Sequence, residues 1–413
     1  MPVEISDWND LDNVRNDLTG DYVLVNDLDS QTAGYDEVAS ATANGGSGWE
    51  PLAESDVDTF DGSFNGGGNS ISDIVTDRFG TRGGGSTFGD LGSAGLIENV
   101  SVFDADMKGG VVSGVVVADN FGGDIVNCTS FGVLETDGNG CGGLVGQQRD
   151  SNALVQNSFS DVDVLSTGTE RIGGLVGNNS VGEIEGSCAT GSVEGDSNVG
   201  GLVGESRDTV TESFATGSVE GDSDVGGLVG RNQDTVAESY ATGSVGGGNS
   251  VGGLVGRNDD TVTESYATGS VEGDSQVGGL VGSDNDGTVT DSYWDTETTG
   301  QSTSDGDGTG LTTTEMQGSE AETNMSGFDF EDVWTSVLES DDDTTADGYP
   351  ILLAVDREDQ LEAQGILSLI AFTASALVNS ESVEIQDTFA QVNDEVREVT
   401  EVFALINGSV EQI

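Results

Sequence analysis

Apolar and polar positions in the middle of the chain recur at a regular interval. The pentapeptide GGLVG begins at residues 142, 173, 200, 226, 252 and 278, and the last three intervals are identical. Between the copies, short apolar stretches such as TVTESYATG alternate with Gly, Asp, Ser and Asn, without helical periodicity. A repeat with a period in the twenties is typical of a solenoid, in which one small unit is stacked many times.

Aligning the repeats places apolar side chains in four columns. We expect each column to form a vertical stack with about 4.8 Å between rungs. Short parallel strands around one apolar core predict a mostly β chain, a single parallel β-helix of roughly eight rungs. The columns are Val199, Val225, Val251 and Val277; Leu202, Leu228, Leu254 and Leu280; Val210, Val236, Val262 and Val289; and Phe214, Tyr240, Tyr266 and Tyr293.

The repeats also divide the chain into regions. Apolar residues three or four apart over 5–18 predict a short helix, and YVLVNDL at 22–28 predicts a strand. The regions we predict are 1–75, an N-terminal cap with the first strands; 76–295, the β-helix; 296–350, a C-terminal cap; and 351–413, a helical segment for oligomerisation or attachment.

The last region carries an apolar heptad pattern with alternating steps of four and three residues. Such a pattern favours an α-helical coiled coil, and β-branched residues at the d positions favour three or more strands, hence a homotrimer or a larger homo-oligomer. One amphipathic helix packed on the solenoid, or β-strands, would also fit the pattern. The heptad residues are Ile385, Phe389, Val392, Val396, Val399, Phe403, Ile406, Val410 and Ile413.

The charge of the chain is extreme, with 76 acidic residues, 11 basic residues and a formal net charge of −65. Such a chain repels itself in dilute solution, but the Debye length falls to about 3 Å at ~1 M salt. The composition therefore predicts a protein from a halophile. It also excludes nucleic acid as a partner that is held through phosphate contacts.

Acidic residues fall into columns as well. Both columns are expected to be solvated outer faces, and the alternative is a ladder of sites for cations along one wall of the solenoid. The columns are Glu212, Glu238 and Glu264, and Asp208, Asp234 and Asp260.

The residues offer little for catalysis. The chain has no His, which removes the most common general base and zinc ligand, and its three Cys have no metal-binding spacing. We assign no catalytic residues and no cofactor, and we do not expect an enzyme. The segments DNDG and DGDG resemble fragments of calcium loops, so the candidate calcium ligands are Asp284, Asp286, Asp305 and Asp307.

Three tryptophans lie in loop-like or capping segments, where an exposed ring could stack on a sugar. The alternative is that these rings plug the ends of the solenoid. The residues are Trp49, Trp294 and Trp334.

Neither an export signal nor a membrane-spanning segment is predicted. Residues 1–20 lack an apolar core, and the run ILSLIAFTASALV at 366–378 is shorter than the ~18 apolar residues that a span requires. We therefore expect no insertion into a membrane.

The repeat VGGLVG followed by TVTESYATGSV resembles the GLUG-motif family, as do NDLD with FDGSFNGGGNSISDIV at the entry and SYWDTETTGQS with FDFEDVW at the exit. The resemblance covers about 20–352. It implies a parallel β-helix of the kind found in secreted or surface-anchored proteins, including adhesins and the stalks of some large bacterial peptidases. It implies no catalytic residues.

The combined hypothesis is a structural or binding protein on the surface of a virion, namely a tail fibre, spike or capsid turret of a haloarchaeal virus. Its expected partners are further copies of itself, other virion proteins, and a protein or glycan on the host surface. One alternative is an adhesin or surface-layer-associated protein, located on or outside the cell of a halophile. The other is a glycan-cleaving β-helix enzyme, because hydrolysis of a glycoside needs only two suitably spaced carboxylates.

Overall fold

The computed structural model describes residues 1–53, 58–338, 348–353 and 355, together with the backbone of four short strands between 389 and 412.

Two long parallel sheets run the length of the solenoid, with 17 and 19 strands in the described part of the chain. One column of paired residues passes from Gly89 through Val117, Val145, Val176, Val203, Val229 and Val255 to Val281, which makes eight successive rungs. The predicted parallel β-helix of about eight turns is therefore confirmed.

The strands of the first sheet are Val3–Ile5, Asp21–Leu24, Ser63–Asn65, Gly89–Leu91, Leu96–Glu98, Val117–Asn120, Asp124–Val126, Val145–Gln156, Val176–Glu185, Val203–Ser206, Val210–Thr211, Val229–Asn232, Thr235–Ala237, Val255–Asn258, Thr261–Thr263, Val281–Asp284 and Thr288–Thr290. The strands of the second sheet are Ser70–Ser72, Val75–Asp77, Ser101–Gly109, Ser113–Gly114, Thr129–Thr136, Cys141–Gly142, Phe159–Ser166, Glu170–Gly173, Cys188–Ala189, Val193–Glu194, Ser197–Gly200, Phe214–Ala215, Val219–Gly226, Tyr240–Ala241, Val245–Gly252, Tyr266–Ala267, Val271–Gly278, Tyr293–Asp295 and Thr309–Leu311.

The predicted columns stack as expected. Val225 pairs with Val199 on one side and Val251 on the other, and Val236 pairs with Val210 and Val262 in the same way. The inward Val and Leu side chains are buried in one continuous core. Burial of each such side chain stabilises the fold by about 1.5–3 kcal/mol.

The two glycines that open each GGLVG leave no room for a side chain. A Cβ on Gly227 would overlap the carbonyl oxygen of Gly253 in the next rung, and a Cβ on Gly226 would overlap the carbonyl oxygen of Val229. The repeated Gly-Gly therefore permits the close approach of backbones at the turn between the two sheets.

Each central rung bends at two positions where the backbone has positive φ. Residues with side chains other than Asn and Asp rarely adopt this conformation, so its recurrence marks bends that the stacking of neighbouring rungs maintains. The first bend column contains Arg171, Asn198, Asp224, Ser250 and Gln276, and the second contains Asn99, Asn127, Asn157, Gly186, Glu212, Glu238, Glu264 and Asp291.

A ladder of buried serines follows the second bend. The hydroxyl of Ser239 donates to the carbonyl of Ala237 at 2.6 Å and accepts the N–H of Ser213 at 3.2 Å, and the N–H of Ser239 donates to Ser265 at 3.1 Å. The same pattern links successive rungs from Ser158 to Ser292, with Cys128 at the position before Ser158. The ladder gives the serine N–H groups at the bend their acceptors, and most of the carbonyls that its hydroxyls reach also accept an N–H from the preceding rung, as Thr263 does from Glu238.

The N-terminal region combines the first turns of the sheets with short helices. The helix Trp8–Asn13 is capped by Asp7, whose carboxylate accepts the N–H of Asp10 at 2.9 Å. A 3₁₀ helix, Val14–Asn16, follows, and two further short helices are Tyr35–Val38 and Ala43–Gly45.

The C-terminal cap lies against the outside of the second sheet. It contains the 3₁₀ helix Thr313–Met316, the helix Gly318–Asn324 and an antiparallel pair of strands, Trp334–Val337 and Gly348–Leu352.

The predicted C-terminal helix is not confirmed. The strand Phe389–Val392 pairs with Glu395–Glu398, and Phe403–Ile406 pairs with Ser409–Gln412, both in antiparallel hairpins. Alternating Val and Ile suit strands as well as heptads, and the described backbone follows the β-strand alternative. Of the nine heptad residues, Ile385, Val399 and Ile413 lie outside the described residues.

Candidate binding surface

An outer column of apolar side chains runs along the second sheet, on the face opposite the core. In its C-terminal part, Cys188 pairs with Phe214, which continues the column to Tyr240, Tyr266 and Tyr293. The rings of Phe214 and Tyr240 are 4.8 Å apart and 3° from parallel, and those of Tyr240 and Tyr266 are 5.0 Å apart and 4° from parallel. The rung spacing thus stacks the rings face to face, so that their edges point away from the sheet.

The C-terminal cap covers this part of the column. Phe328 lies 5.4 Å from Tyr293 and 4.5 Å from Trp334, and Trp334 lies 5.7 Å from Tyr266. Together with Met316, Ala321, Met325 and Leu352, these residues form a second apolar cluster outside the solenoid core.

Polar contacts fix the position of the cap. The hydroxyl of Tyr266 donates to the carbonyl of Pro350 at 2.7 Å, and the hydroxyl of Tyr349 donates to the carboxylate of Asp295 at 2.6 Å. Burial raises the pKa of Tyr266 well above its ordinary value, and burial followed by the charge of Asp295 raises the pKa of Tyr349. Both hydroxyls therefore remain protonated donors.

Toward the N-terminus the outer column continues to Phe159, which pairs with Cys188. Phe131 and Phe103 lie beside the column, because the partner of Phe159 in the preceding rung is Thr129, and Phe131 pairs with Asp161. Phe103 and Phe131 stack at 4.8 Å, and Phe131 and Phe159 lie 5.3 Å apart. Phe103 is 36% exposed, and Phe131 and Phe159 are half-buried. The three Phe are evenly spaced in the sequence, but the register places only Phe159 in the column of Phe214. We call Phe103, Phe131 and Phe159 the exposed phenylalanine stack.

An arginine–carboxylate edge follows the GGLVG strands, and the sequence reasoning missed it. Asp119 is fully buried and pairs with Arg82 and Arg149. Glu205, 1% exposed, pairs with Arg171 and, at 3.0 Å, with Arg207. One rung apart, Arg231 and Arg257 share Asp259 at 2.6 and 2.9 Å.

The buried carboxylates on this edge respond differently to their surroundings. Burial raises the pKa of Asp119, and the two guanidiniums offset this only in part. At Glu205, burial also acts to raise the pKa, but Arg171 and Arg207 outweigh it, so that the pKa lies below its ordinary value. The guanidiniums remain about a third exposed, so the edge joins the rungs while it faces solvent.

The four predicted calcium ligands are only partly brought together. The N–H of Asp284 donates to the carboxylate of Asp305 at 2.9 Å, and the carboxylate of Asp284 accepts from Asn258 at 2.7 Å. Asp286 and Asp307 are exposed. Among the described residues, no group of three or more His, Cys, Asp or Glu is placed to hold a metal ion. The calcium assignment remains a prediction without support from the geometry.

The predicted stacking of sugars on tryptophan is wrong for the described conformation, because all three rings are buried. Trp49 donates from Nε1 to the carbonyl of Thr87 at 2.9 Å, and Trp294 donates to the carbonyl of Gln301 at 2.9 Å. Trp334 packs under the cap against Tyr240 and Tyr266. The tryptophans pack the ends and the cap of the solenoid, as the alternative interpretation had it.

The predicted acidic column Glu212, Glu238 and Glu264 lies at the second bend, as its register requires. Burial raises the pKa of each carboxyl, and so do the neighbouring carboxylates. The column is therefore not a freely solvated face.

Comparisons with known proteins place the repeats in a family. The model described as the GLUG motif matches residues 221–246 and 247–272. The chain is also similar to halomucin from Haloquadratum walsbyi (strain DSM 16790 / HBSQ001), with 35% identity over 162 residues. That match covers 38% of this chain but 2% of halomucin, so the chain spans a small fraction of its relative.

Among solved structures, a candidate immunoglobulin A1 protease from Bacteroides ovatus is similar over 86% of this chain and 93% of its own, at 18% identity and a TM-score of 0.45. A search of the described helices finds none that combines the length and the apolar character needed to cross a membrane. Two matched motifs lie within the series of GGLVG repeats, so this part of the chain carries GLUG repeats.

Proposed function

We propose that the protein is a surface-displayed β-helix of a halophile that acts as an adhesin-type binding protein and not as an enzyme. The observation that carries the proposal is the exposed phenylalanine stack on an otherwise acidic exterior. Contiguous apolar surface on a soluble protein typically marks a site of interaction. The stack meets the outer column at Phe159, and the cap covers the other end of that column with ring contacts of 4.5, 5.4 and 5.7 Å. The column therefore already accepts an apolar partner at its other end.

The comparisons support the location. The GLUG motif and the similarity to halomucin favour a protein at the cell surface or outside the cell. The relative comes from a halophile, in agreement with the net charge of −65.

A finer version of the proposal places the rod on a virion of a haloarchaeal virus, as a tail fibre, spike or turret. The same architecture would serve on a cell or on a virion, and fractionation separates these two locations. Recovery of the chain with the cell envelope or the medium supports the cellular adhesin, and co-sedimentation with virus particles supports the appendage.

Binding is tested with purified protein and halophile cells in salt on the order of 2 M, where self-repulsion is screened. The double variant Phe103→Ser, Phe131→Ser should bind about tenfold less, because both changes remove apolar contact from the stack. Phe79→Ser is the matched control, since Phe79 is 46% exposed and lies outside the stack. Equal binding by the double variant and the control would contradict the proposal.

The enzyme alternative has its own experiment. A groove of about 290 Å³ is lined by Glu194, Asp196, Glu220 and Asp222, among other residues, and offers the carboxylate pairs that glycoside hydrolysis requires. Release of sugar from envelope glycans in molar salt, and its loss in Glu194→Gln or Glu220→Gln, would replace the binding function with an enzymatic one.

A further inference from the structure

The C-terminal cap places a carboxylate against a column of carboxylates. Glu212, Glu238, Glu264 and Asp291 occupy successive rungs at the second bend, with φ values of 47°, 49°, 46° and 46°. Adjacent members are one rung apart, about 4.8 Å along the solenoid axis. The left-handed backbone holds all four side chains on the same outer corner.

The loop 327–329 of the cap is seated on this corner. The N–H of Gly327 donates to the hydroxyl of Tyr293 at 3.3 Å, and a Cβ on Gly327 would overlap the side chain of Asp291. The next residue, Phe328, packs on Tyr293 at 5.4 Å. Asp329 therefore approaches the acidic column while its neighbour anchors the cap on the aromatic column.

All of the charged groups that face this contact are acidic. The solenoid contributes Glu185 and the four members of the column, and the charge of Asp329 acts on Glu238 and Glu264. Glu331 and Asp332 follow on the cap, where their N–H groups donate to Asp329 at 2.9 and 3.0 Å. No ion pair from Arg or Lys to these carboxylates is recorded in the described parts of the solenoid and cap.

Opposite forces thus meet within one interface. The aromatic contacts draw the cap onto the solenoid, and the carboxylates push it away. The repulsion extends over about 10 Å at 0.1 M salt but is confined to about 3 Å at 1 M, which is shorter than the rung spacing. Dilution therefore strengthens the repulsion and leaves the apolar contacts in place.

We propose that the described cap, residues 311–338 and 348–352, is a salt- and proton-sensitive cover of the aromatic column. Molar salt or acid holds it closed over Phe214, Tyr240, Tyr266 and Tyr293, and dilute neutral solution releases it before the rungs unfold. Release extends the exposed phenylalanine stack into a longer apolar strip. The inference concerns the cap alone and does not depend on the binding function proposed above.

The direction of the pH effect follows from the closed state. Burial, and then the neighbouring carboxylates, raise the pKa of Glu212, Glu238 and Glu264 above the ordinary value of 4.5. Of these charges, that of Asp329 comes from the cap, and it acts on Glu238 and Glu264. Because release of the cap removes this charge, the closed form binds protons more tightly than the open form at these two residues, and closure is favoured as pH falls through their raised pKa values. The full penalty on closure is present above them, including at neutral pH.

Hydrogen exchange of the full chain, followed by mass spectrometry of peptides, separates release of the cap from unfolding. Lowering NaCl from about 3 M to about 0.1 M at pH 7 should raise exchange in peptides from 318–337 at least tenfold, after correction for intrinsic rates, while peptides from 225–260 stay protected. The amide of Trp334, which donates to the carbonyl of Asp329 at 2.8 Å, is one of the reporters.

Two variants test the role of the charges. Asp329→Asn and Glu264→Gln should each move release of the cap to lower salt, and acid should protect the cap less in them than in the original chain. Glu272→Gln is the matched control, because it removes one exposed charge from the second sheet at a distance from the corner.

Three results would overturn the proposal. One is loss of protection by cap and rungs at the same salt concentration, which indicates unfolding as a single unit. Another is a cap that stays protected at every salt concentration. The third is an equal shift, in Glu264→Gln and Glu272→Gln, of the salt concentration at which the cap is released. That result would attribute the effect to net charge alone.

Discussion

Single residues stabilise this solenoid mainly because the same residue type recurs at the same position in successive rungs. Ser213, Ser239 and Ser265 each satisfy a backbone carbonyl in their own rung and a backbone N–H in the rung before. In the sequence these serines stand only as the middle residue of ESF or ESY, and their role follows from the register. One side chain thereby hydrogen-bonds to two rungs, and its removal destabilises both.

Replacing Ser239 with Ala should lower the free energy of unfolding by about 1–3 kcal/mol, because it leaves the Ala237 carbonyl and the Ser213 N–H unpaired in a buried position. Denaturant titration in molar salt measures the change. Ser218→Ala, at an exposed position, should cost less than about 0.5 kcal/mol. A similar cost for both variants would show that the ladder contributes nothing.

Replacing Glu205 with Gln should destabilise the fold by on the order of 2 kcal/mol at neutral pH, since it removes the counter-charge shared by Arg171 and Arg207. The cost is below that of a fully buried pair because the guanidiniums reach solvent.

The pH dependence distinguishes this role. The folded pKa of Glu205 is lowered, so its contribution is present above the ordinary value of 4.5 and is lost as pH falls through the folded pKa. The difference between Glu205→Gln and the original chain should shrink in acid, whereas the exposed control Glu220→Gln should show little difference at either pH. A gap that is independent of pH would contradict the ion-pair account.

At the scale of elements, the rungs and their pairing were predictable, whereas the cap was predicted as a region without its contacts. The columns of Val, Leu and aromatic residues follow from one period, and their pairing is local to neighbouring rungs. The cap joins positions such as Tyr266 and Pro350, which are 84 residues apart and share no repeat. No pattern in the sequence connects them.

The same limit explains the tryptophans and the C-terminal segment. Burial of Trp334 depends on the cap, which a search for exposed rings in loop-like segments cannot foresee. Residues 389–412 carry Val and Ile in an order that fits a heptad as well as a short strand, so periodicity alone could not decide between them. The even spacing of Phe103, Phe131 and Phe159 is visible in the sequence, but their position beside the aromatic column, with only Phe159 in it, follows from the register.

Tyr266 tests the contact between cap and solenoid. Tyr266→Phe keeps the ring in the stack but removes the hydrogen bond to Pro350, and should cost about 1 kcal/mol. Tyr266→Ala also opens a cavity and should cost about 3–5 kcal/mol. Thermal unfolding in molar salt ranks the two variants. An equal cost would mean that the ring adds nothing to the contact beyond its hydroxyl.

At the scale of the whole molecule, stability is set by an apolar spine within a shell of like charge. The core is continuous along the solenoid, and the formal net charge of −65 is distributed around it. Two carboxylates one rung apart, at about 4.8 Å, repel each other by about 0.9 kcal/mol in water before screening. Summed over columns, this is a large fraction of the stability of an ordinary domain.

The melting temperature should therefore rise steeply between about 0.1 M and 1 M NaCl, as the Debye length falls from about 10 Å to about 3 Å, and should flatten above that range. Circular dichroism at increasing salt concentration measures the curve. Sucrose at matched osmolality is the control, because it is excluded from the surface but does not screen charge. If sucrose stabilises as well as NaCl does, charge repulsion is not the limiting term.

Successive repeats are equivalent position by position, as in Gly227 and Gly253, Ser239 and Ser265, and Val225 and Val251. This equivalence has a consequence for the gene. Removing or duplicating one repeat unit, for example 226–251, would join edges that already match in register, bend and hydrogen bonding. Recombination between the coding repeats can then shorten or lengthen the molecule by about 4.8 Å per unit without inventing a new junction. Length is thus the trait of this protein most open to natural variation.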